Sequence, residues 1–347
     1  MLSSKNKGLF VEKSRFRVMV AVTSSAQAPF VLERLEDMSP EGGNEGVRDF
    51  ILGLAQGGRN LHFAPCRASV YPSGRFFNRH SADTPIKLKE PGYFEDLIRN
   101  QMGVDLTLNN VSVLGATDGL PFDLARNLSA QRELVLAGAP MAQLRAEQDD
   151  LLSMGIFPEC MELGSLSSAA ALMSYMRFAG IKRPVLYLEM GLTGSLIFIV
   201  TPERMDLCRS IPHGLESMLP ALGAELGVKD EASARKLLFS NTFDFTEMGP
   251  ALLGKLLREM RASTGFYEVQ TGQSIGHVVV NLIPPNLDWI RLCISRSLGL
   301  ELLKFDFRGW LLANGIHVSD SVDMTSLSQS WIGALGLLPD YGKAPAA

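Results

Sequence analysis

The chain has 347 residues, more than one ordinary hydrophobic core accommodates, so we expect at least two domains. Hydrophobic residues make up 46% of the sequence and charged residues 20%, a balance that excludes an intrinsically disordered protein. The formal net charge of −4, without a long basic run, makes nucleic acid a poor candidate partner.

The four cysteines are far apart in the sequence, at positions 66, 160, 208 and 293. This spacing matches neither a zinc motif nor a small disulfide framework, so we expect reduced thiols and a cytoplasmic location. The sequence shows no pattern typical of a signal peptide, and its most apolar stretch is interrupted by Glu189. We therefore expect contact with a membrane only through a partner.

The first part of the chain predicts a strand, a hydroxyl-rich turn and a second strand. The strands are predicted at 16–22 and 30–35, with the turn at 23–29 between them, and residues 1–14 are expected to be loose. Further elements are a loop at 40–46, a helix at 47–56, paired strands at 61–70 and 74–78, and a linker at 81–91. The linker holds two prolines and predicts the entry to a small inserted unit.

The inserted unit and the second half of the chain alternate between predicted helices and strands, which favours an α/β protein. Up to residue 179, the elements are helices at 93–102, 141–154 and 169–179, with strands at 111–116, 133–140 and 158–163. Beyond residue 200, strands are predicted at 205–211, 274–283 and 301–305, and helices at 215–226, 230–239, 248–264, 287–298 and up to about 338.

The stretch 185–200 predicts a β-hairpin that is buried on both faces, with Glu189 beside its turn. Glycines take up positive φ without steric cost, and such a turn can direct several N–H groups at one anion. A carboxylate beside that turn is where a hydrated magnesium ion would be held. The candidate phosphate-binding residues of this turn are Gly191, Thr193, Gly194 and Ser195. The alternative is a core hairpin with a glycine turn and a solvated glutamate. The hairpin also resembles the strand–turn–strand pattern at 16–35, which favours two related halves.

Five segments in the second half occur in a recognisable order. They are Leu-Glu-Met-Gly-Leu-Thr-Gly-Ser (188–195), Arg-Ser-Ile-Pro-His-Gly (209–214), Glu-Ala-Ser-Ala-Arg-Lys-Leu (231–237), Leu-Leu-Arg-Glu-Met-Arg-Ala-Ser-Thr-Gly-Phe-Tyr (256–267) and Ser-Gln-Ser-Trp-Ile-Gly-Ala-Leu-Gly-Leu (328–337). The ordered set resembles the PilM family of type IV pilus assembly proteins, from about Tyr93 onward. That family is related in fold to FtsA and to the cytoplasmic part of GspL.

The resemblance implies an actin-like α/β fold of two related halves around a nucleotide cleft, with a small subdomain inserted in the first half. It implies a discontinuous first half at 14–85 and 161–183, the inserted subdomain at 86–160, a second half at 184–338 and a tail at 339–347. In the family, the cleft binds ATP with magnesium. A groove beside the small subdomain binds a cytoplasmic peptide of the inner-membrane protein PilN.

The sequence departs from the family at three nucleotide contacts. The first phosphate loop of the family reads Asp-Ile-Gly-Ser-Ser-Ser-Val-Lys, and we match it to Ala21–Ala28, where only Thr23, Ser24 and Ser25 could still donate to a phosphate. In the second loop the acid is Glu189 in place of aspartate, and this residue is the candidate for holding the metal through water. Pro284 and Pro285 replace a glycine pair at the adenosine and remove two N–H donors.

These changes favour a scaffold over an enzyme. We expect a cytoplasmic protein, peripheral to the inner membrane, that couples a pilus or type II secretion-like machine to a PilN-like subunit. No cofactor is expected, but ATP and magnesium would bind if the cleft were still competent. The alternatives are an active ATPase or a small-molecule kinase of the same superfamily, and a filament former.

Overall fold

The computed structural model describes residues 7–39, 44–55, 66–240 and 242–339. The chain divides into two compact units, the first comprising Met1–Ala179 with Asp306–Ala347 and the second Gly180–Phe305. Residues 306–338, which the sequence assigns to the second half, therefore group with the first unit. Parts of five predicted elements lie outside the described residues: positions 1–6 of the loose segment, 40–43 of the loop, 56 of the first helix, 61–65 of the paired strand and 340–347 of the tail.

The described residues form both strands and helices. The strands are β1 Gly8–Lys13, β2 Val18–Thr23, β3 Val31–Met38, β4 Cys66–Val70, β5 Phe76–Ser81, β6 Asn109–Gly115, β7 Glu133–Pro140, β8 Pro158–Leu163, β9 Val185–Met190, β10 Ser195–Val200, β11 Met205–Ile211, β12 His277–Asn281, β13 Glu301–Leu302 and β14 His317–Val318. The α-helices are α1 Glu45–Ala55, α2 Tyr93–Asp96, α3 Met141–Ser153, α4 Gly164–Phe178, α5 Leu219–Leu226, α6 Glu231–Leu238, α7 Gly249–Leu252, α8 Gly254–Thr271, α9 Trp289–Leu298, α10 Phe307–Ala313 and α11 Trp331–Gly336. Shorter turns of helix are the 3₁₀ segments Lys87–Lys89, Leu215–Met218 and Pro285–Leu287 and the π segment Leu97–Gln101.

The main sheet of the first unit has the strand order β14-β3-β2-β1-β4-β8. The pairs β1–β2 and β2–β3 are antiparallel, whereas β4 lies parallel to β1 and β8 parallel to β4. Every residue of β1 and β2 is buried, and their valines pack with Val47 and Ile51 of α1 and with Leu151 near the end of α3 in one hydrophobic core. Burial on both faces is typical of central strands covered by helices.

The sheet of the second unit has the order β11-β10-β9-β12-β13. Again the first three strands form an antiparallel meander, and the fourth and fifth lie parallel to the first. Both sheets therefore contain the order third–second–first–fourth–fifth, with strands counted in chain order within each sheet. This repetition confirms the prediction of two related halves.

The first strand of the chain differs from the prediction. β1 begins at Gly8 within the segment predicted to be loose, and the predicted first strand at 16–22 is β2. The hairpin that corresponds to β9–β10 is therefore β1–β2, rather than the predicted hairpin at 16–35. The sequence did not predict β1 because two of its six residues, Glu12 and Lys13, are charged, although both are buried.

The inserted unit begins with β5, the strand after β4, and forms a separate antiparallel sheet in the order β5-β7-β6. Leu97 and Ile98 of the π segment pack on Leu136 of β7 in a small core of their own. The small inserted subdomain predicted by the resemblance is thus present. Among the described residues, no helix combines the length and the apolar character needed to cross a membrane.

Candidate functional site

The predicted acid of the second hairpin, Glu189, lies one residue before the end of β9 and is fully buried. Gly191, Thr193 and Gly194 occupy the turn as predicted, and Ser195 is the first residue of β10. Glu189 pairs across the hairpin with Leu196 and, on the other side, lies in register with Asn281 of β12. The sequence therefore located this acid and its turn correctly, but the glutamate is not solvated as the alternative interpretation required.

The turn after β9 is held by the segment that follows β11. The N–H of Gly191 donates to the carbonyl oxygen of Gly194 at 3.0 Å, which closes the turn. The carbonyl oxygens of Gly191 and Leu192 accept hydrogen bonds from the N–H groups of Leu215 and Glu216, at 2.9 and 2.8 Å. These bonds turn two carbonyl groups of the loop inward, toward the protein.

Close approach of this segment requires Gly214. A Cβ atom on Gly214 would lie 2.6 Å from the carbonyl carbon of Leu192, which no real Cβ tolerates. Any larger residue at this position would therefore push the turn away from the segment that supports it.

Several donors of this turn remain available to a ligand. Within the described residues, the N–H groups of Leu192, Thr193 and Gly194 donate to no backbone acceptor, and the Thr193 side chain is exposed. The hydroxyl of Ser195, by contrast, donates to the carbonyl oxygen of His213 at 2.7 Å. Consecutive free N–H groups are the donors from which anion-binding concavities are built. The turn could thus contact an anion through its backbone and Thr193, but not with the Ser195 proton in this arrangement.

The topological counterpart of this hairpin in the first unit is β1–β2. Lys13 pairs with Val18 as Met190 pairs with Ser195, so both turns contain four residues. Glu12 consequently occupies the position of Glu189. A sequence signal for this equivalence exists, since Leu-Phe-Val-Glu at 9–12 parallels Leu-Tyr-Leu-Glu at 186–189.

Glu12 is fully buried beneath α11 and bonds to Tyr71, the residue after β4. Its Oε1 accepts a hydrogen bond from the hydroxyl of Tyr71 at 2.8 Å, and that hydroxyl lies 3.1 Å from Oγ of Ser168 on α4. α11 packs so closely that a Cβ on Gly333 would lie 2.7 Å from the carboxyl carbon of Glu12. Another glycine, Gly164, makes room for the Tyr71 ring, because a Cβ there would lie 2.7 Å from Cε1. The carboxylate therefore faces a packed protein interior.

The turn at 14–17, Ser-Arg-Phe-Arg, contains no glycine. The N–H of Ser14 donates to the carbonyl oxygen of Arg17 at 2.9 Å, and the N–H of Arg17 donates back to the Ser14 hydroxyl at 3.1 Å. The Arg17 guanidinium forms two hydrogen bonds with the carboxylate of Asp37. Burial lowers the pKa of Arg17, and the charge of Glu12 opposes this effect. The charge of Arg17 is therefore already neutralised by Asp37 within the unit.

The structure places Thr23, Ser24 and Ser25 at the other end of β2, in the turn that leads to β3. Their side chains are engaged locally: Thr23 Oγ1 donates to the carbonyl of Ser25 at 2.8 Å, and Ser25 Oγ donates to that of Gln27 at 2.7 Å. Ser24 Oγ accepts from the N–H of Val31 at 2.9 Å. These three residues therefore belong to a different turn from the counterpart of Gly191–Gly194. Their binding to phosphate stays a prediction.

The segment after β12 carries the proline pair. Asn281 ends the strand, donates to the Tyr187 hydroxyl at 3.1 Å and accepts from the N–H of Leu282 at 2.9 Å. Leu282 has a φ of 62°, a left-handed conformation that glycine adopts most readily. The prolines begin a turn of 3₁₀ helix at Pro285–Leu287 and offer no N–H group. Among the described residues, no cluster of three or more His, Cys, Asp or Glu side chains could hold a metal ion.

Comparison with solved structures shows a similarity of fold. No family model matches the sequence, and no curated protein matches it either. Among solved structures, a PilM–PilN type IV pilus biogenesis complex matches with a TM-score of 0.64 and 14% identity, over 95% of this chain and 97% of that chain. The cytoplasmic domain of EpsL, an inner-membrane component of the Vibrio cholerae type II secretion system, matches with a TM-score of 0.34 and 14% identity, over 65% of this chain and 78% of that chain. The ethanolamine utilization protein EutJ of Carboxydothermus hydrogenoformans matches with a TM-score of 0.41 and 12% identity, over 95% of this chain and 88% of that chain. The resemblance drawn from the sequence is thus confirmed at the level of fold: the chain is PilM-like, with an actin-like architecture.

Proposed function

We propose that this protein is an actin-like scaffold that couples a type IV pilus or type II secretion-like machine to its inner-membrane subunits, with degenerate nucleotide-binding loops. The observation that carries the proposal is the state of Glu12. This acid stands where the first phosphate hairpin of an actin-like unit would direct a metal, yet its carboxylate accepts a hydrogen bond from Tyr71 and packs against Gly333. Burial between these groups leaves it no open side toward a hydrated ion.

Two other features support the loss of nucleotide chemistry. The turn after β1 has a side chain at every position, which hinders close approach of a phosphate group to its backbone, and the Arg17 guanidinium of this turn is bound to Asp37. The Pro284–Pro285 pair supplies no donor at the segment matched to the adenosine loop. ATP hydrolysis requires the metal, the attacking water and the γ-phosphate to be held together. We therefore infer that the protein acts by binding rather than by catalysis.

The partner that fits this role is the cytoplasmic N-terminal segment of a PilN-like membrane protein. Support comes from the fold of the PilM–PilN complex, which aligns with nearly the whole chain. The protein would then be cytoplasmic and attached to the inner membrane through that subunit.

Titration with the N-terminal cytoplasmic peptides of membrane subunits from the same organism tests the coupling role. Isothermal calorimetry should detect a saturable complex with one of them, and a scrambled peptide of equal composition should not bind. Absence of binding to every such peptide would contradict the proposal.

The second candidate function is an ATP-binding or ATP-hydrolysing protein, or a kinase of the same superfamily. One observation favours it: the turn at Gly191–Gly194 retains N–H groups that donate to no described backbone acceptor, beside the buried Glu189.

A thermal-shift measurement distinguishes the two functions. A ligand at 100 times its Kd stabilises the folded state by about 2.7 kcal/mol, which raises the melting temperature by several degrees. We expect no shift with millimolar MgATP, and the same null result for Glu189→Ala. A shift that disappears in Glu189→Ala would instead establish the nucleotide-binding function.

A further inference from the structure

Helix α8 presents an exposed stripe that its packing within the second unit does not explain. The residues of the stripe recur at helical spacing on one side of the helix and are all solvent-exposed: Lys255, Arg258, Ala262, Phe266 and Val269. Phe266 is 59% exposed and Val269 is 88% exposed, the largest value among the exposed hydrophobic residues described. The opposite side of the helix is buried, as an amphipathic helix requires.

The N-terminal half of this stripe carries uncompensated positive charge. Neither Lys255 nor Arg258 forms an ion pair with a described residue. The acid on the flank of the stripe, Glu259, is bound to Arg209 at 2.6 Å and is therefore compensated from outside the stripe. This local charge contrasts with the net charge of −4 of the whole chain.

The stripe thus combines two cationic side chains that form no ion pair with a described residue, Lys255 and Arg258, with two large apolar side chains on the same side of α8. An anionic lipid bilayer offers matching groups in the same arrangement, with phosphates at its surface and acyl chains directly below. A stable protein–protein interface buries about 800 Å² on each partner, far more than two apolar side chains on a single helix provide. A helix that lies in the plane of the bilayer requires only a shallow apolar edge with basic residues beside it.

We propose that the exposed stripe of α8 binds anionic lipid bilayers directly. The cations contact lipid phosphates, and Phe266 and Val269 enter the boundary between headgroups and acyl chains. This contact does not depend on the peptide partner proposed above. It adds a second, weak attachment that would orient the second unit on the membrane.

Sedimentation of the full chain with vesicles tests the proposal. We expect the protein to sediment with vesicles of equal parts phosphatidylcholine and phosphatidylglycerol, but not with phosphatidylcholine alone, and to be released by high salt. Each basic residue near an anionic surface contributes about fivefold to the partition coefficient. Lys255→Glu with Arg258→Glu should therefore reduce binding by at least about 25-fold.

A second pair of substitutions tests the apolar half of the stripe, and matched changes elsewhere act as controls. Phe266→Ser with Val269→Ser should reduce binding by at least about tenfold at unchanged charge. Lys89→Glu with Lys182→Glu has the same charge change at exposed positions elsewhere and should retain most of the binding.

Four outcomes would overturn the proposal. They are equal binding to neutral vesicles, no binding to anionic vesicles, equal loss in the control pair, and capture of an acidic protein by the stripe without vesicle binding. Unchanged circular dichroism spectra would establish that each variant is folded.

Discussion

The packing of α11 against Glu12 leads to a sharp prediction about a single methyl group. Gly333→Ala would place a Cβ 2.7 Å from the carboxyl carbon and 2.8 Å from Oε1 of a fully buried glutamate. Overpacking of a rigid core costs about 1–3 kcal/mol, and displacing the carboxylate from Tyr71 costs about 1.5–3 kcal/mol. Alanine recovers about 1 kcal/mol of helix propensity. We therefore expect Gly333→Ala to lower the free energy of unfolding by about 2–4 kcal/mol.

Gly265→Ala is the matched control, because Gly265 lies in a helix and a Cβ there would meet nothing within 4 Å. This change should leave stability unchanged or raise it by up to about 1 kcal/mol. Urea-induced unfolding of both variants measures the difference.

A double-mutant cycle then assigns the cause. If the methyl group acts through the carboxylate, Glu12→Ala combined with Gly333→Ala should be less destabilised than the sum of the single changes, by about 1 kcal/mol or more. Additive costs, or equal effects of Gly333→Ala and Gly265→Ala, would refute the claim that α11 closes over Glu12.

Three further changes test other parts of the structure. Lys13 bonds to Glu147 and Asp150 at 2.6 Å each, so Lys13→Met should cost about 1–3 kcal/mol in urea unfolding at neutral pH. Burial is the largest single effect and opposes ionisation of both Lys13 and Asp150. The hydrogen bonds and opposite charges of their partners together outweigh it, so the pKa of Lys13 lies above 10.5 and that of Asp150 below 3.8. The difference in free energy of unfolding between the natural protein and Lys13→Met should thus be constant between about pH 5 and pH 9. It should decline as the pH falls below 3.8 or rises above 10.5. A difference that varied within the neutral range would contradict this account of the ion pairs. At Leu282, asparagine tolerates the positive φ better than a β-branched residue does. Leu282→Val should therefore have a lower melting temperature than Leu282→Asn, although valine is the more hydrophobic residue. Gly214→Ala should displace the turn after β9 and speed hydrogen exchange there, whereas unaltered exchange would show that the close contact is dispensable.

The sequence by itself determined the features that depend on local pattern. The run of β-forming residues interrupted by Gly-Leu-Thr-Gly predicted β9, its turn and β10, because apolar periodicity and turn chemistry both act within a few residues. Leucines at helical spacing likewise predicted a helix at 248–264, which the structure divides into α7 and α8 and continues to Thr271. The ordered segments predicted the PilM-like fold with its inserted subdomain. The acid at 189 could be located because only Met190 separates it from the glycine turn.

Only the tertiary structure decided which hairpin of the first unit corresponds to β9–β10. β1 pairs with β4, which lies more than fifty residues later in the chain. The interior can hold the carboxylate of Glu12 only because Tyr71, Ser168 and Gly333 come together around it from distant parts of the chain. The same holds for residues 306–338, which follow the second unit in sequence but group with the first. Strand pairing and helix packing join residues that are remote in sequence, so no local pattern records them.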